Sequence, residues 1–438
     1  MLALLLASLA HAATWTVDPS GAGDALSVAS GVMLLSDGDT LHVLAGTYAV
    51  AGVTVAADDV TIEGDGWDST VFDGSTLSTT SGLLITGENV TIQGIRFQGY
   101  AVRNALEAAA WTEGSATFQS CAFVDNYYGL GAQYWLFADI TVLDSIFVGN
   151  QAGIYVPNTV DVLHVESSVF EGDTTGIELD SDMDAASFDQ LVVVSDTFVD
   201  ESVGVTAWAV GVSEGDFEVT LANNLFSNVT YPWWLAVSSF PEMSGELQSN
   251  LYSSGSSLIV DPATLDEVGN LEADPTFVGW TDDGDWTDDD LHLADGSAGI
   301  DMGVDGYGSS SEDADGHARS IDGDCDGVAA PDAGAFERTP DPACATADTG
   351  DSGGGDSSPG GDDSSPVDST PAEDDSSAGG DDSGSVDSTP GGGGAAEDDS
   401  GGASEKVGGG CGGCGTPARP VGGLGMLLVG ALALRRRR

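Results

Sequence analysis

An aromatic residue recurs through the middle of the chain at intervals close to 25: Phe97, Phe123, Phe147, Phe170, Phe198, Phe226 and Tyr252, with spacings of 26, 24, 23, 28, 28 and 26. The residues around each marker repeat with it. Seven before it stands Val90, Ala116, Ile140, Leu163, Leu191, Val219 or Gly245; five before it stands Ile92, Phe118, Val142, Val165, Val193, Leu221 or Leu247. Apolar residues two apart belong to a strand with one buried face. A fixed period of this length means that each copy buries its face only by stacking on its neighbours. Short strands with no helical period then specify an all-β chain, a parallel β-helix solenoid in which like residues lie about 4.8 Å apart.

Other positions in the repeat have their own chemistry. Two before the marker come Ile95, Cys121, Ser145, Ser168, Asp196, Asn224 and Asn250, mostly small and polar, as a side-chain ladder at a turn requires. Cys121 occupies a ladder slot and reads as a structural thiol. Six after four of the markers come Gly129, Gly153, Gly176 and Gly204, expected to mark a turn or a close approach between coils. Ahead of the repeats, residues 24–35 are patterned as a short amphipathic helix that would plug the open end of the stack, and "GDTLHVLAGTY" (Gly38–Tyr48) reads as strand and turn.

The chain divides by composition. Residues 1–12 form an apolar run ending Ala-His-Ala, as in a secretory signal peptide. The cap and first strand occupy 13–50, the coils 51–260, and a closing module with Asp-rich loops 261–344. Residues 345–406 are Gly, Ser, Asp and Pro with "VDSTP" twice, too poor in apolar groups to fold, and read as a flexible stalk. Residues 407–438 carry Cys411 and Cys414, a fourteen-residue apolar stretch (Val421–Leu434) and four terminal arginines, an arrangement suited to membrane attachment. With 72 acidic residues against 10 Lys and Arg, a formal charge of −62, the chain should repel nucleic acid, which is excluded as a partner.

Candidate chemistry is sparse. "IDGDCDG" (Ile321–Gly327) places Asp322, Asp324 and Asp326 in alternation before a Gly, fitting the first half of a Ca²⁺ loop; Ala333 stands where a bidentate Glu is expected. The competing reading is a solvated acidic turn. Cys325 and Cys344 are near enough in sequence to be bridged in an oxidising compartment. Eight after the markers stand Tyr155, Glu178, Thr206 and Trp234, which should point outward; with Trp208 nearby, Tyr155 and Trp234 offer rings for stacking on sugars, or shielding for turns. No catalytic group is singled out. Arg96 and Arg103 are the only basic residues of the coils, and Asp144, Asp173, Asp180, Asp182, Asp184 and Asp196 are many candidates without a selection.

"SDGDTLHVLAGTY" (Ser36–Tyr48) resembles the opening of right-handed parallel β-helix proteins related to pectate lyases. "DPTFVG" (Asp274–Gly279), "DDLHLADGSAGIDMG" (Asp289–Gly303) and "PDAGAFE" (Pro331–Glu337) resemble the closing module of secreted bacterial surface proteins of that kind. The C-terminal segment resembles sorting tags of the MYXO-CTERM kind, which implies processing near Cys411 or Cys414 and display at the cell surface. The architecture is implied more sharply than the activity. The expectation is an exported, surface-anchored protein presenting a glycan- or surface-binding, adhesin-like face, with cell-surface or extracellular polysaccharide as partner. A polysaccharide lyase or glycoside hydrolase on the same scaffold, and a structural envelope protein, are the alternatives.

Overall fold

The computed structural model describes residues 12–339 except 77–80, 102–107, 133–137, 158–159, 182–187, 210–216, 238–242, 262–264 and 282, and the side chains of 181, 208, 209, 237 and 261 also fall outside it. The signal-like segment, Cys344, the Gly/Ser/Asp/Pro stretch, Cys411, Cys414 and the terminal apolar segment therefore lie outside the described residues. Among those described, no helix is long and apolar enough to cross a membrane.

The repeat folds into coils that stack as three parallel sheets of 11, 10 and 9 strands. The first runs from Thr14–Val17 to Asp266–Val268, the second from Gly46–Ala49 to Leu271–Glu272, and the third from Val53–Val55 to Ile259–Asp261. The expected register is the observed one. Val90, Ala116, Ile140, Leu163, Leu191 and Val219 pair successively in the first sheet, all but Ala116 with no exposure. The marker aromatics pair in the second sheet, and the column extends two coils earlier, to Phe72 and Tyr48. From Phe97 to Phe226 their rings stack at 4.7–5.1 Å and within 10° of parallel, because the strand spacing imposes that separation on like side chains.

Two turns per coil are made by single residues in the left-handed region. One column is Gly94, Ser120, Asp144, Ser167, Ser195, Asn223 and Ser249; the other includes Gly99, Asp125, Gly149, Gly172, Asp200 and Asn228. The glycines six after the marker do not make the turns. They lie inside third-sheet strands, where a Cβ on Gly129, Gly153 or Gly176 would come within 2.6–2.8 Å of the next coil's carbonyl oxygen. Of the two roles expected for them, close approach is the one they play.

The polar ladder is continuous. The backbone N–H of Cys121 donates to Ser145 Oγ, Ser145 to Ser168 Oγ, Ser168 to Asp196 Oδ1, Asp196 to Asn224 Oδ1 and Asn224 to Asn250 Oδ1, at 2.6–3.2 Å. Cys121 is buried and its thiol is pushed up to about 12 by desolvation, consistent with a packing role.

The helix at the opening is shorter than the 24–35 pattern suggests. It covers Val28–Val32, starting at a reciprocal Ser27–Ser30 capping box, with Val28 and Gly31 buried. After the last coil the chain returns over the outer face of the second sheet. Leu291 and Ala335 bury against Val169 and Val199, with Phe277, Trp280 and Phe336 packed alongside. Polar pins fix this closing segment to the coils: Ser309 and Ser310 donate to Glu166, Arg319 to Ser167 Oγ, and Ala335 N–H to Thr197 Oγ1.

Candidate functional site

In each second-sheet strand the marker aromatic points inward, so the residues on either side of it point out. That places Arg96, Ile146 and Val169 in one outer column and Glu171 in the other. The returning segment lies over these columns without filling the space above them. A groove of about 580 Å³ remains, with Arg96, Glu171, Asp289 and Asp290 on its walls and Trp67 and Trp286 at its rim. The two indoles are 5.6 Å apart and tilted by 40°, one from an early turn and the other from the closing segment. A second hollow of about 420 Å³, bordered by Asp125, Asp200 and Asp285, adjoins it and shares Glu171 and Trp286.

The groove's electrostatics set one group apart. Burial, and then the neighbouring Asp289 carboxyl with Asp200 and Asp173 behind it, push Glu171 up to about 8, so it holds its proton at neutral pH. Asp289 is positioned by Thr281, whose N–H donates to Oδ1 at 2.7 Å. Its Oδ2 is buried and has no hydrogen-bond partner among the described residues. His292 is engaged at both nitrogens, with Asp290 Oδ1 at 2.8 Å and Asp315 Oδ2 at 3.2 Å, and its ring rests against Phe336. It fixes the loop and is not free to act as a base. Arg96 makes no ion pair among the described residues, and its Nε is buried without a hydrogen-bond partner.

The residues singled out from sequence lie elsewhere. Tyr155, Glu178, Thr206 and Trp234 do pair in one column of the third sheet, on a different side of the solenoid. Tyr155 stacks on Tyr128 at 4.1 Å and 10°, and Trp234 is 39% exposed, three strand steps away. Trp208 joins this sheet through its backbone, paired with Asp180 and Ala236; its side chain lies outside the description. Within the column Glu178 is pushed up to about 7, by burial first and Asp180 second.

The acidic loop is assembled differently from its linear pattern. Asp322 and Asp324 come together with Asp301, their oxygens within 4.8 Å of one another. Asp326 does not join them; its N–H donates to Asp322 and Asp324, closing the turn. Three carboxylates suit a hard cation such as Ca²⁺, but several of their oxygens already accept backbone N–H groups from Gly323, Asp324, Asp326 and Gly327. Cys325 is disulfide-bonded.

Sequence reading noted Arg96 as a basic residue of the coils and passed over Glu171, Asp289, Trp67 and Trp286. Asp173 and Asp196, counted there among candidate catalytic carboxylates, are fully buried inside the coils and face no groove. The signal for Glu171 was available in part: it is one after a marker, where the alternation turns side chains outward.

No protein-family model matches the chain, and no curated protein matches it. Among solved structures, the crystal structure of pectate lyase Pel9A is similar at a TM-score of 0.39 and 16% identity, covering 76% of this chain and 98% of that one. A pectin methylesterase in complex with a hexasaccharide gives 0.28 and 10%, over 62% and 93% of the two chains. The alginate lyase AlyGC gives 0.25 and 9%, over 68% and 60%.

Proposed function

We propose that the groove over the second sheet binds a polysaccharide and cleaves it by general acid–base hydrolysis, with Glu171 as the proton donor. The observation that carries this reading is a groove lined by two tryptophans in which Glu171 lies beside a second carboxyl, burial and that neighbour pushing it up to about 8. Indole faces stack on the apolar C–H faces of sugars. The Glu171 proton passes to the glycosidic oxygen as the bond from that oxygen to the anomeric carbon breaks. Water adds to the anomeric carbon, and its proton is taken by a groove carboxylate, for which Asp68, Asp289 and Asp290 are in place. An exported chain held at the cell surface would meet such polymers.

The test uses the full-length chain with a panel of neutral and acidic polysaccharides, following new reducing ends and unsaturated-sugar absorbance together. Glu171→Gln should lower the rate at least about a hundredfold while leaving binding in place. The wild-type rate should fall as pH rises through about 8, because the donor then loses its proton. A fully active Glu171→Gln, or an unsaturated product, would overturn the reading.

A second reading, a non-catalytic glycan-presenting face, is favoured by the Tyr128–Tyr155 stack and the exposed Trp234 on the third sheet. It requires that Tyr155→Ala and Trp234→Ala abolish retention on a glycan that Glu171→Gln still binds, with no cleavage by the wild type.

A further inference from the structure

In a chain with 72 acidic residues, an arginine without a carboxylate partner asks for a reason. The other two arginines among the described residues are paired, Arg319 with Glu337 at 2.9 Å and Arg338 with Asp295. Arg96 is not. Its neighbours Ile95 and Phe97 are fully buried, so its side chain is turned outward onto the groove wall, and its Nε meets no acceptor among the described residues. The unpaired guanidinium borders the groove, and its planar fork is shaped to take a carboxylate or sulfate through two parallel hydrogen bonds.

We propose that Arg96 receives an anionic substituent of the bound glycan, a carboxylate or a sulfate ester, carried on an otherwise uncharged stretch of polymer. This rests on the reading of the groove as a glycan cleft and adds the class of glycan to it. The substituent is sparse because the adjoining hollow is bordered by Asp125, Asp200 and Asp285, which repel a second negative charge. A polymer acidic at every residue would meet that repulsion along its length. The strand of Arg96 lies three pairing steps from that of Glu171, about 14 Å along the solenoid axis, so the acidic residue sits a few sugar units from the bond that Glu171 serves.

The experiment measures binding, independently of cleavage, of the full-length chain to one α-glucan and one β-glucan. Each is offered neutral, sparsely carboxymethylated and sparsely sulfated, with polygalacturonate as the densely charged comparison. The wild type should prefer a sparse form over both the neutral polymer and polygalacturonate, and which sparse form binds more tightly identifies the anion. Arg96→Gln should weaken that form about tenfold or more and leave the neutral polymer unchanged, with Arg96→Lys intermediate. Because Arg96 has no hydrogen-bond or ion-pair partner among the described residues, the melting temperature of Arg96→Gln should equal or exceed that of the wild type. Equal binding of all forms by Arg96→Gln and wild type, or a clear loss of thermal stability in the variant, would overturn the assignment while leaving the cleft intact. A wild type that binds none of the polymers would remove the cleft reading itself.

Discussion

At the scale of single residues, the fold is decided by columns in which every member meets its own kind. Val142 lies between Phe118 and Val165 in the first sheet with no exposure, so a charge placed there has neither water nor a partner. Val142→Asp should cost more than about 4 kcal/mol and leave a chain without a cooperative melting transition by circular dichroism. An unchanged melt would mean that the coils are registered differently.

At the scale of the element, the polar ladders contain carboxyls where amides would be expected. Asn224, Asn250 and Asn270 each accept or donate along the ladder, and each sends its Nδ2 to the carbonyl of the preceding coil: Val193, Leu221 and Leu247, at 2.8–2.9 Å. Asp196 occupies the same slot with an Oδ2 that is buried and has no hydrogen-bond partner among the described residues. Desolvation accordingly raises its pKa well above the usual range, with Glu166 adding and Arg319 opposing. In another column, where the Asn126 N–H donates to Asn150 and the Asn150 N–H to Asp173, Asp173 and Glu201 on the next coil are raised in the same way. A carboxyl whose folded pKa exceeds its unfolded value binds a proton more tightly in the native state. The stability these carboxyls contribute is therefore full below about pH 4 and is lost as pH rises through the folded pKa. Asp196→Asn supplies the missing donor. At pH 8 it should stabilise the solenoid by about 1–3 kcal/mol, and by much less at pH 4, in denaturant titrations at the two pH values.

At the scale of the whole molecule, the groove exists because the closing segment is fastened back onto the coils. Glu166 is the principal fastening. Burial acts to raise its pKa, but His164, the Ser309 hydroxyl and the backbone N–H groups of Ser309 and Ser310 outweigh it and hold the carboxyl down at about 2. For this group the sign is reversed: its contribution is present above the ordinary glutamate pKa and is lost as pH falls through about 2. Glu166→Gln should weaken the fastening by about 2 kcal/mol. The expected readout is faster hydrogen exchange over residues 304–310 with little change in the first-sheet strands. Uniform acceleration through the coils would place Glu166 in the core's support instead. Together the two sets of carboxyls make the molecule least stable at the extremes, through the clamp in strong acid and through the ladders in base.

The period of the aromatic, the apolar pairs before it and the polar slot between them were legible in the sequence alone. Stacking gives each coil the same neighbours as the last, so one environment is written many times and its repetition stands out from the rest of the chain. Asp322 and Asp324 were legible as a pair for a related reason, being two apart in one turn. Their third partner was not, because Asp301 reaches them from 21 residues upstream through the folding of a segment with no period. The groove is of the second kind throughout. Trp67, Arg96, Glu171, Trp286 and Asp289 come from an early turn, two coils and a returning loop, and no local pattern connects them. Periodicity determined the scaffold, because a coil's neighbours are set by chain distance. The site was decided only when the closing segment packed across the second sheet, bringing together groups that chain distance keeps apart and excluding enough water to keep a proton on Glu171.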